Sequence, residues 1–313
     1  MNIRFWGVRG SIATPLTSAE LTARIEMAVN AGLKAGLTDE SQIPVFAREL
    51  PGHITQVIGG NTACIEVQAG SKLLILDAGT GIRLLGLDLV QRHRGNPFEA
   101  HILLTHTHWD HISGLPFFVP AFNPKNDLTV YGPSSGLEDR LKGQQTPEYF
   151  PVPLLKTFNV FQLKNQNRFR IGDVRIETLP LNHPGDSYAY RIACGDKTLV
   201  YATDSEYKDL STKALKPFTD FFRGADILIY DAQFTLLENI EKEDWGHSNM
   251  FCGIDMALEA GVKTLVFTHH EPVYEDKKLW ETLEKANEYM EICQPPGKRI
   301  KLYLATEGLE ISI

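Results

Sequence analysis

The apolar run Ile102-Leu103-Leu104 passes without a break into Thr105-His106-Thr107-His108-Trp109-Asp110-His111. Such a run reads as a buried strand, so the chain must fold in a way that delivers three imidazoles and a carboxylate into one tight loop at a strand end. Alternation starts His106 and His108 on the same side, and the following turn sends Asp110 and His111 elsewhere, which lets one loop grip two cations. Seven of the ten histidines (His106, His108, His111, His183, His247, His269 and His270) lie in short motifs of similar character. That clustering argues against a merely solvated histidine-rich loop and for a metalloenzyme.

The bulk properties set bounds on that reading. At 313 residues, with 43% hydrophobic and 22% charged residues, the chain has the makings of a soluble globular protein with a substantial core. A net charge of −8 argues against a broad footprint for long nucleic acid, though bound cations can reverse the local sign for a small anionic substrate. Cys64, Cys194, Cys252 and Cys293 show neither paired nor metal-like spacing, and the first three sit in apolar stretches, as buried free thiols do. The amino terminus lacks a signal-peptide apolar region and no apolar run approaches membrane-spanning length, so the expected setting is the cytoplasm, away from membranes.

Short strands and helices alternate along the chain. Strands are expected near Ile3–Trp6, Ala63–Val67, Leu73–Leu76, Leu128–Tyr131, Val174–Leu179, Ala189–Ala193, Thr198–Tyr201, Ile227–Tyr230, Leu265–Phe267 and Leu302–Leu304. Helices are expected near Ile82–Gln91, Pro217–Phe222, Asn249–Ala260 and Asp276–Ile292. A separate helical segment runs from about Thr17 to Val57; Ser18 caps its first helix, and Leu21, Ile25, Val29 and Leu33 fall on one stripe. The strands are too many for one doubly wound sheet, and several look like hairpins. Two sheets face to face with helices outside, in one domain over 1–313 with a helical insertion at about 17–57, is the expected α/β architecture.

The ordered set His106-x-His108-x-Asp110-His111, then His183, Asp204 and His269, resembles the metallo-β-lactamase superfamily, whose fold is a four-layer αβ/βα sandwich. The resemblance spans nearly the whole chain except the helical insertion. It implies two divalent metal ions, Zn2+ foremost with Mn2+ or Fe as alternatives for a nitrogen and oxygen donor set. It places one ion on His106, His108 and His183, the other on Asp110, His111 and His269, with Asp204 bridging. His269 is preferred to its neighbour His270 because it directly follows the apolar strand. Asp77 resembles the family aspartate that orients a ligand imidazole.

The reaction is suggested by Trp245-Gly246-His247-Ser248, which resembles the His-Ser motif of the superfamily's phosphodiesterase branch, the one containing ribonuclease Z. The resemblance implies that His247, catalytic along with Asp110, assists the leaving oxygen rather than binding metal, and Glu206 is a candidate to orient it. Only 21 positions separate His183 from Asp204, leaving no room for the tRNA-clamping arm of ribonuclease Z. A bacterial and phage-borne group in this branch, which includes anti-Pycsar-like cyclic-nucleotide phosphodiesterases, is similar in Arg4–Ser11, Gly59–Thr62, Leu76–Gly81, Gly114–Phe118, Tyr149–Val152 and Ala225–Asp231. The resemblance thus implies hydrolysis of a small nucleotide, foremost a 3′,5′-cyclic nucleotide to its 5′-monophosphate. The alternatives are a carboxyl-ester, lactone or thioester hydrolase of the same fold and, disfavoured, tRNA 3′-end cleavage. Arg9 and Asn61, in glycine-rich turns, are candidate phosphate contacts, while Phe117 and Phe150 are candidate base-stacking faces. Relatives in the branch are often homodimers, and the helical segment is a candidate interface.

Overall fold

The computed structural model describes residues 1–154, 157–163, 167–295 and 299–313. Its first half begins with β1 (Asn2–Gly7), followed by α1 (Ser18–Lys34), α2 (Ile43–Glu49) and α3 (Gly52–Thr55). Next come β2 (Cys64–Ala69), β3 (Lys72–Leu76), α4 (Gly81–His93), β4 (Glu99–Leu103) and α5 (Trp109–Ile112), then β5 (Asp127–Gly132), α6 (Leu137–Gln144) and β6 (Phe158–Gln162). The second half holds β7 (Arg168–Ile171), β8 (Val174–Pro180), β9 (Tyr188–Cys194), β10 (Lys197–Ala202), α7 (Thr212–Phe222), β11 (Ile227–Asp231) and α8 (Leu236–Glu241). It closes with α9 (Met250–Ala260), β12 (Thr264–Thr268), α10 (Asp276–Cys293), β13 (Lys301–Leu304) and β14 (Glu310–Ser312).

These strands form two mixed sheets, ordered β14-β1-β2-β3-β4-β5-β6 and β13-β12-β11-β10-β9-β8-β7. Strand alternation explains why they stack. Leu74 and Leu76 of β3 join the core shared with the second sheet, whereas Leu73 and Ile75 join Ile82, Leu85 and Leu89 under α4. Helix, sheet, sheet and helix follow, as expected for an αβ/βα sandwich. Within it, β3, β4, β5 and β6 run parallel, as do β10, β11, β12 and β13. The carboxyl ends of β3, β4, β10, β11 and β12 carry the loops described below, the usual place for ligand groups in parallel sheets. No described helix is long and apolar enough to cross a membrane.

The strands absent from the sequence reading, β6, β7 and β14, all lie at sheet edges. They are short and carry polar residues between apolar ones, so their burial signal is weak. The four cysteines are free; Cys64 is buried, but Cys194, Cys252 and Cys293 are only partly so.

The helical insertion differs from expectation in two respects. Thr17 rather than Ser18 caps α1, because Thr17 and Glu20 complete a reciprocal capping box. The stripe Leu21, Ile25, Val29 and Leu33 faces solvent, each residue at least half exposed. Polar contacts hold the helix instead. Arg24 donates to Gln56 O at 2.8 Å and pairs with Asp276, which also takes Arg9 Nη2 at 2.8 Å and the Ile58 amide at 3.0 Å.

This buried hub yields a stability prediction. Asp276→Ala leaves two guanidinium groups without their counter-ion and costs about 3–5 kcal/mol by chemical denaturation. Leu33→Ala, on the exposed stripe, stays within about 0.5 kcal/mol.

Candidate metal centre

Seven imidazole and carboxylate side chains, carried by four segments, converge at the carboxyl ends of strands from both sheets. β4 ends at Leu103, and the chain then turns through His106 and His108 into α5, which begins at Trp109 and carries Asp110 and His111. His183 lies in the loop after β8, Asp204 just beyond β10, and His269 immediately after β12. Asp77, Asp204, His269 and the neighbouring Ser11 all adopt positive φ, between 57° and 60°. Such conformations are costly for residues with a Cβ and persist where the surroundings over-determine them.

Among the described residues the donor atoms form four overlapping groups, each within the span of a single ion: His106, His108 and His183; Asp110, His111, Asp204 and His269; and two that share members with these, His183, Asp204 and His247, and Asp231, His247 and His269. In the first, His183 Nε2 approaches His108 Nδ1 to 3.1 Å. In the second, Asp110 Oδ2 lies 3.2 Å from His111 Nε2 and 3.1 Å from His269 Nε2. Asp204 stands between them: Oδ2 is 3.3 Å from His111 Nε2, Oδ1 is 3.3 Å from His269 Nε2, and Oδ1 also comes within 3.8 Å of His183 and 4.0 Å of His106. The buried Nε2 atoms of His106 and His111 have no hydrogen-bond partner. Buried, unpartnered imidazole nitrogens facing carboxylates fit divalent cations well.

The outward nitrogens are tethered. Asp77 accepts from His111 Nδ1 at 2.8 Å, and also from the Thr105 amide, the Thr105 hydroxyl and the Tyr201 hydroxyl of the opposite sheet. His183 Nδ1 donates to Gly246 O at 2.9 Å, and His269 Nδ1 faces Gln233 Oε1 at 2.9 Å. The Ser11 amide donates to Asp110 Oδ2 at 2.8 Å. Such contacts fix which ring nitrogen keeps its lone pair. His270 points away, its Nε2 bonded to Ala305 O at 2.9 Å, so of the two neighbours only His269 joins the cluster.

Electrostatics follow from the crowding. Burial and the neighbouring His111 hold His106 well below the ordinary imidazole range, and burial lowers His183 as well. Burial also opposes charge on His269, but Asp204, Asp110 and Asp231 override it and push that group up to about 9. His111 is likewise raised, against its burial, by Asp110, Asp204 and Asp77. Asp110 and Asp204 are held far below the carboxylate range by the facing imidazoles despite burial.

Other residues singled out by the sequence are placed differently. His247 sits beside both sets, 5.1 Å ring to ring from His183 and 5.0 Å from His269. Its Nδ1 donates to Asp231 Oδ2 at 2.9 Å, so Asp231 orients it, not Glu206. Glu206 instead accepts from the Asp244 and Gly246 amides and so holds the loop that carries His247. Arg9 is 5% exposed, with its donors committed to Gly59 O, Glu271 O, Tyr274 O and Asp276; this clamps the core rather than facing a substrate. Asn61 directs its amide at Glu307. Phe117 is 52% exposed and packs edge-on against Phe150 at 5.3 Å. The sequence reading passed over Trp109 and Trp245, exposed by 64% and 61% and flanking metal-loop and His247-loop residues. No role was assigned to Asp231, although it ends the Ala225–Asp231 motif, or to Gln233, whose only signal is its place just after β11.

The chain is similar in sequence and fold to known proteins. A family profile described as the beta-lactamase superfamily domain matches residues 73–270. Ribonuclease Z of Oceanobacillus iheyensis is 23% identical over 235 residues, covering 59% of this chain and 75% of that protein. The probable metallo-hydrolase YhfI of Bacillus subtilis is 28% identical over 212 residues, covering 64% and 77%. Among solved structures, that of Bacillus subtilis YhfI superposes with a TM-score of 0.65 at 19% identity, over 99% of this chain and 98% of the other. A diphosphatase from the PhnP family superposes at 0.58 with 18% identity, over 99% and 96%.

The raised imidazoles set a pH signature for the metal-free protein. His269 has a folded value of about 9 against about 6.5 when unfolded, so its stabilising charge is fully present below pH 6.5 and is lost as pH rises towards 9. Chelator-treated protein is therefore expected to lose stability on the order of 3 kcal/mol across that window, followed by denaturant titration. Metal-loaded protein, with the proton displaced, should show no such loss.

Proposed function

The chain belongs to the metallo-β-lactamase superfamily of hydrolases, and from that premise we propose that it is a metal-dependent phosphodiesterase opening a 3′,5′-cyclic nucleotide to its 5′-monophosphate. The observation that carries this reading is the His247–Asp231 pair beside the two donor sets. A ring that donates Nδ1–H to a buried carboxylate keeps Nε2 free to hold a second proton, and the carboxylate stabilises the resulting imidazolium. Attack of water on phosphorus breaks the bond to the 3′ oxygen, and that alkoxide must receive a proton; His247 is suited to supply it. A thiolate leaving group has far less need of such help.

When bound, the two ions supply Lewis acidity to the phosphoryl oxygens and lower the pKa of the attacking water. His106, His108 and His183 would hold one, and Asp110, His111 and His269 the other, with Asp204 shared. Glu206 keeps the 244–246 turn in place, so Gly246 O can orient His183. Gly246 has φ of 83°, and a side chain there would meet the His183 ring. Trp109, Trp245 and Phe117 offer exposed aromatic faces for a base.

A small substrate suits the remaining features. Between His183 and Asp204 the chain forms only the β9–β10 hairpin, turned at Gly195. The net charge of −8 adds no basic track for a long polynucleotide. The ribonuclease and diphosphatase among the similar proteins favour phosphorus–oxygen cleavage over carboxyl-ester or thioester hydrolysis.

The test is a panel of 3′,5′-cyclic nucleotides with added manganese or zinc. The parent is expected to release 5′-monophosphate, and His247→Ala to keep its metal content while kcat falls about 10²–10⁴-fold. Turnover of thioesters or lactones but of no phosphodiester would refute the reading, as would undiminished turnover by the variant.

A further inference from the structure

Gln233 lies two residues past the end of β11 and is 3% exposed. Its Oε1 faces His269 Nδ1 at 2.9 Å, while its Nε2 donates to Glu271 Oε2 at 2.7 Å and to Ser11 Oγ at 3.3 Å. This contact differs in kind from those of Asp77 and the Gly246 carbonyl, which can only accept. An amide turned by half a revolution keeps its shape but exchanges acceptor for donor, so glutamine alone does not decide the tautomer of the imidazole it meets.

Glu271 decides it. A carboxylate accepts and does not donate, so the NH2 group must face Glu271 and the carbonyl must face His269. Nδ1 then has to carry a hydrogen, and Nε2 is the nitrogen that gives up its proton to an ion. Nε2 is the atom 3.1 Å from Asp110 Oδ2 and 3.3 Å from Asp204 Oδ1, inside the second donor set. Glu271 is itself 8% exposed, with Lys242 Nζ 3.7 Å from its other oxygen. The Ser11 hydroxyl also touches the Gln233 amide, and the Ser11 backbone holds Asp110, so two ligands of the same ion meet at one side chain.

We infer that Glu271 and Gln233 form a positioning relay that fixes the His269 tautomer and thereby tunes ion affinity at the second donor set. The inference rests on the ligand assignment and not on the identity of the substrate, so its test needs no turnover. Neither residue touches the reacting atoms. Both act through His269.

The experiment compares the parent with Glu271→Gln, Gln233→Leu and the exchange Gln233→Glu with Glu271→Gln. Zinc affinity and stoichiometry are read by chelator competition, and the His269 tautomer by 15N–1H correlation of the zinc-loaded protein. The two single variants are expected to bind the more weakly held ion roughly 10–100-fold less tightly, with the other ion retained. In the exchange, a carboxylate at 233 accepts from Nδ1 and an amide at 271 donates to it, so affinity should return to within a few-fold of the parent with Nδ1 still protonated. A merely structural role would not produce that rescue. Parent-like affinity in both single variants would overturn the relay, and so would an exchange variant that folds but binds no better than Glu271→Gln alone. Should a single variant fail to fold, the exchange decides, since it nearly preserves the volume at both positions.

Discussion

Asp204 is the constraint around which the rest is organised. Its carboxylate is 1% exposed, carries a charge, and has imidazoles of His106, His111, His183 and His269 within 4.0 Å. A buried carboxylate is tolerated only where positive groups or cations compensate it. Strands from both sheets have to end at the same point for that to happen. β4 brings His106 and His111 from one sheet, while β8, β10 and β12 bring His183, Asp204 and His269 from the other. The hydrogen bond from Tyr201 to Asp77 ties the two sheets directly beneath the cluster.

The cost of this convergence appears in the backbone. Ser11, Asp77, Asp204 and His269 hold left-handed conformations, and each makes a hydrogen bond, to Asp110, His111, Thr203 and Gln233 respectively. Gly10 has no side chain because one would strike the His269 ring. Strain gathered at a charged, enclosed site is a mark of function rather than of stability, because a stable core would relax it.

Much of this was legible in the sequence, and the reason is physical. Metal-ligand spacing in Thr105–His111 is dictated by a strand ending in a turn, and apolar runs in central strands such as Leu73–Leu76 and Ile227–Tyr230 are short and bounded by turn residues, which marks them as buried strands. The edge strands β6, β7 and β14 were not legible, since an edge residue need not be apolar on both faces. The stripe of α1 was legible as a helix but not in its direction: Arg24 and Asp276 set the orientation through charges 252 positions apart. Asp231 and Gln233 share the same difficulty. Their roles exist only once β11 is placed between β10 and β12, which brings them to His247 and His269. Arg9 shows the converse, a glycine-flanked arginine with the look of a phosphate contact that instead closes a buried hub through Asp276.

The most direct measurement of the central claim is anomalous diffraction from crystals of the metal-loaded protein, recorded on both sides of the absorption edge of the bound metal. Two peaks per chain are expected, one among His106, His108 and His183 and one among Asp110, His111 and His269, with Asp204 in contact with both. A single peak, or a peak ligated by His247 or His270 in place of those residues, would contradict it.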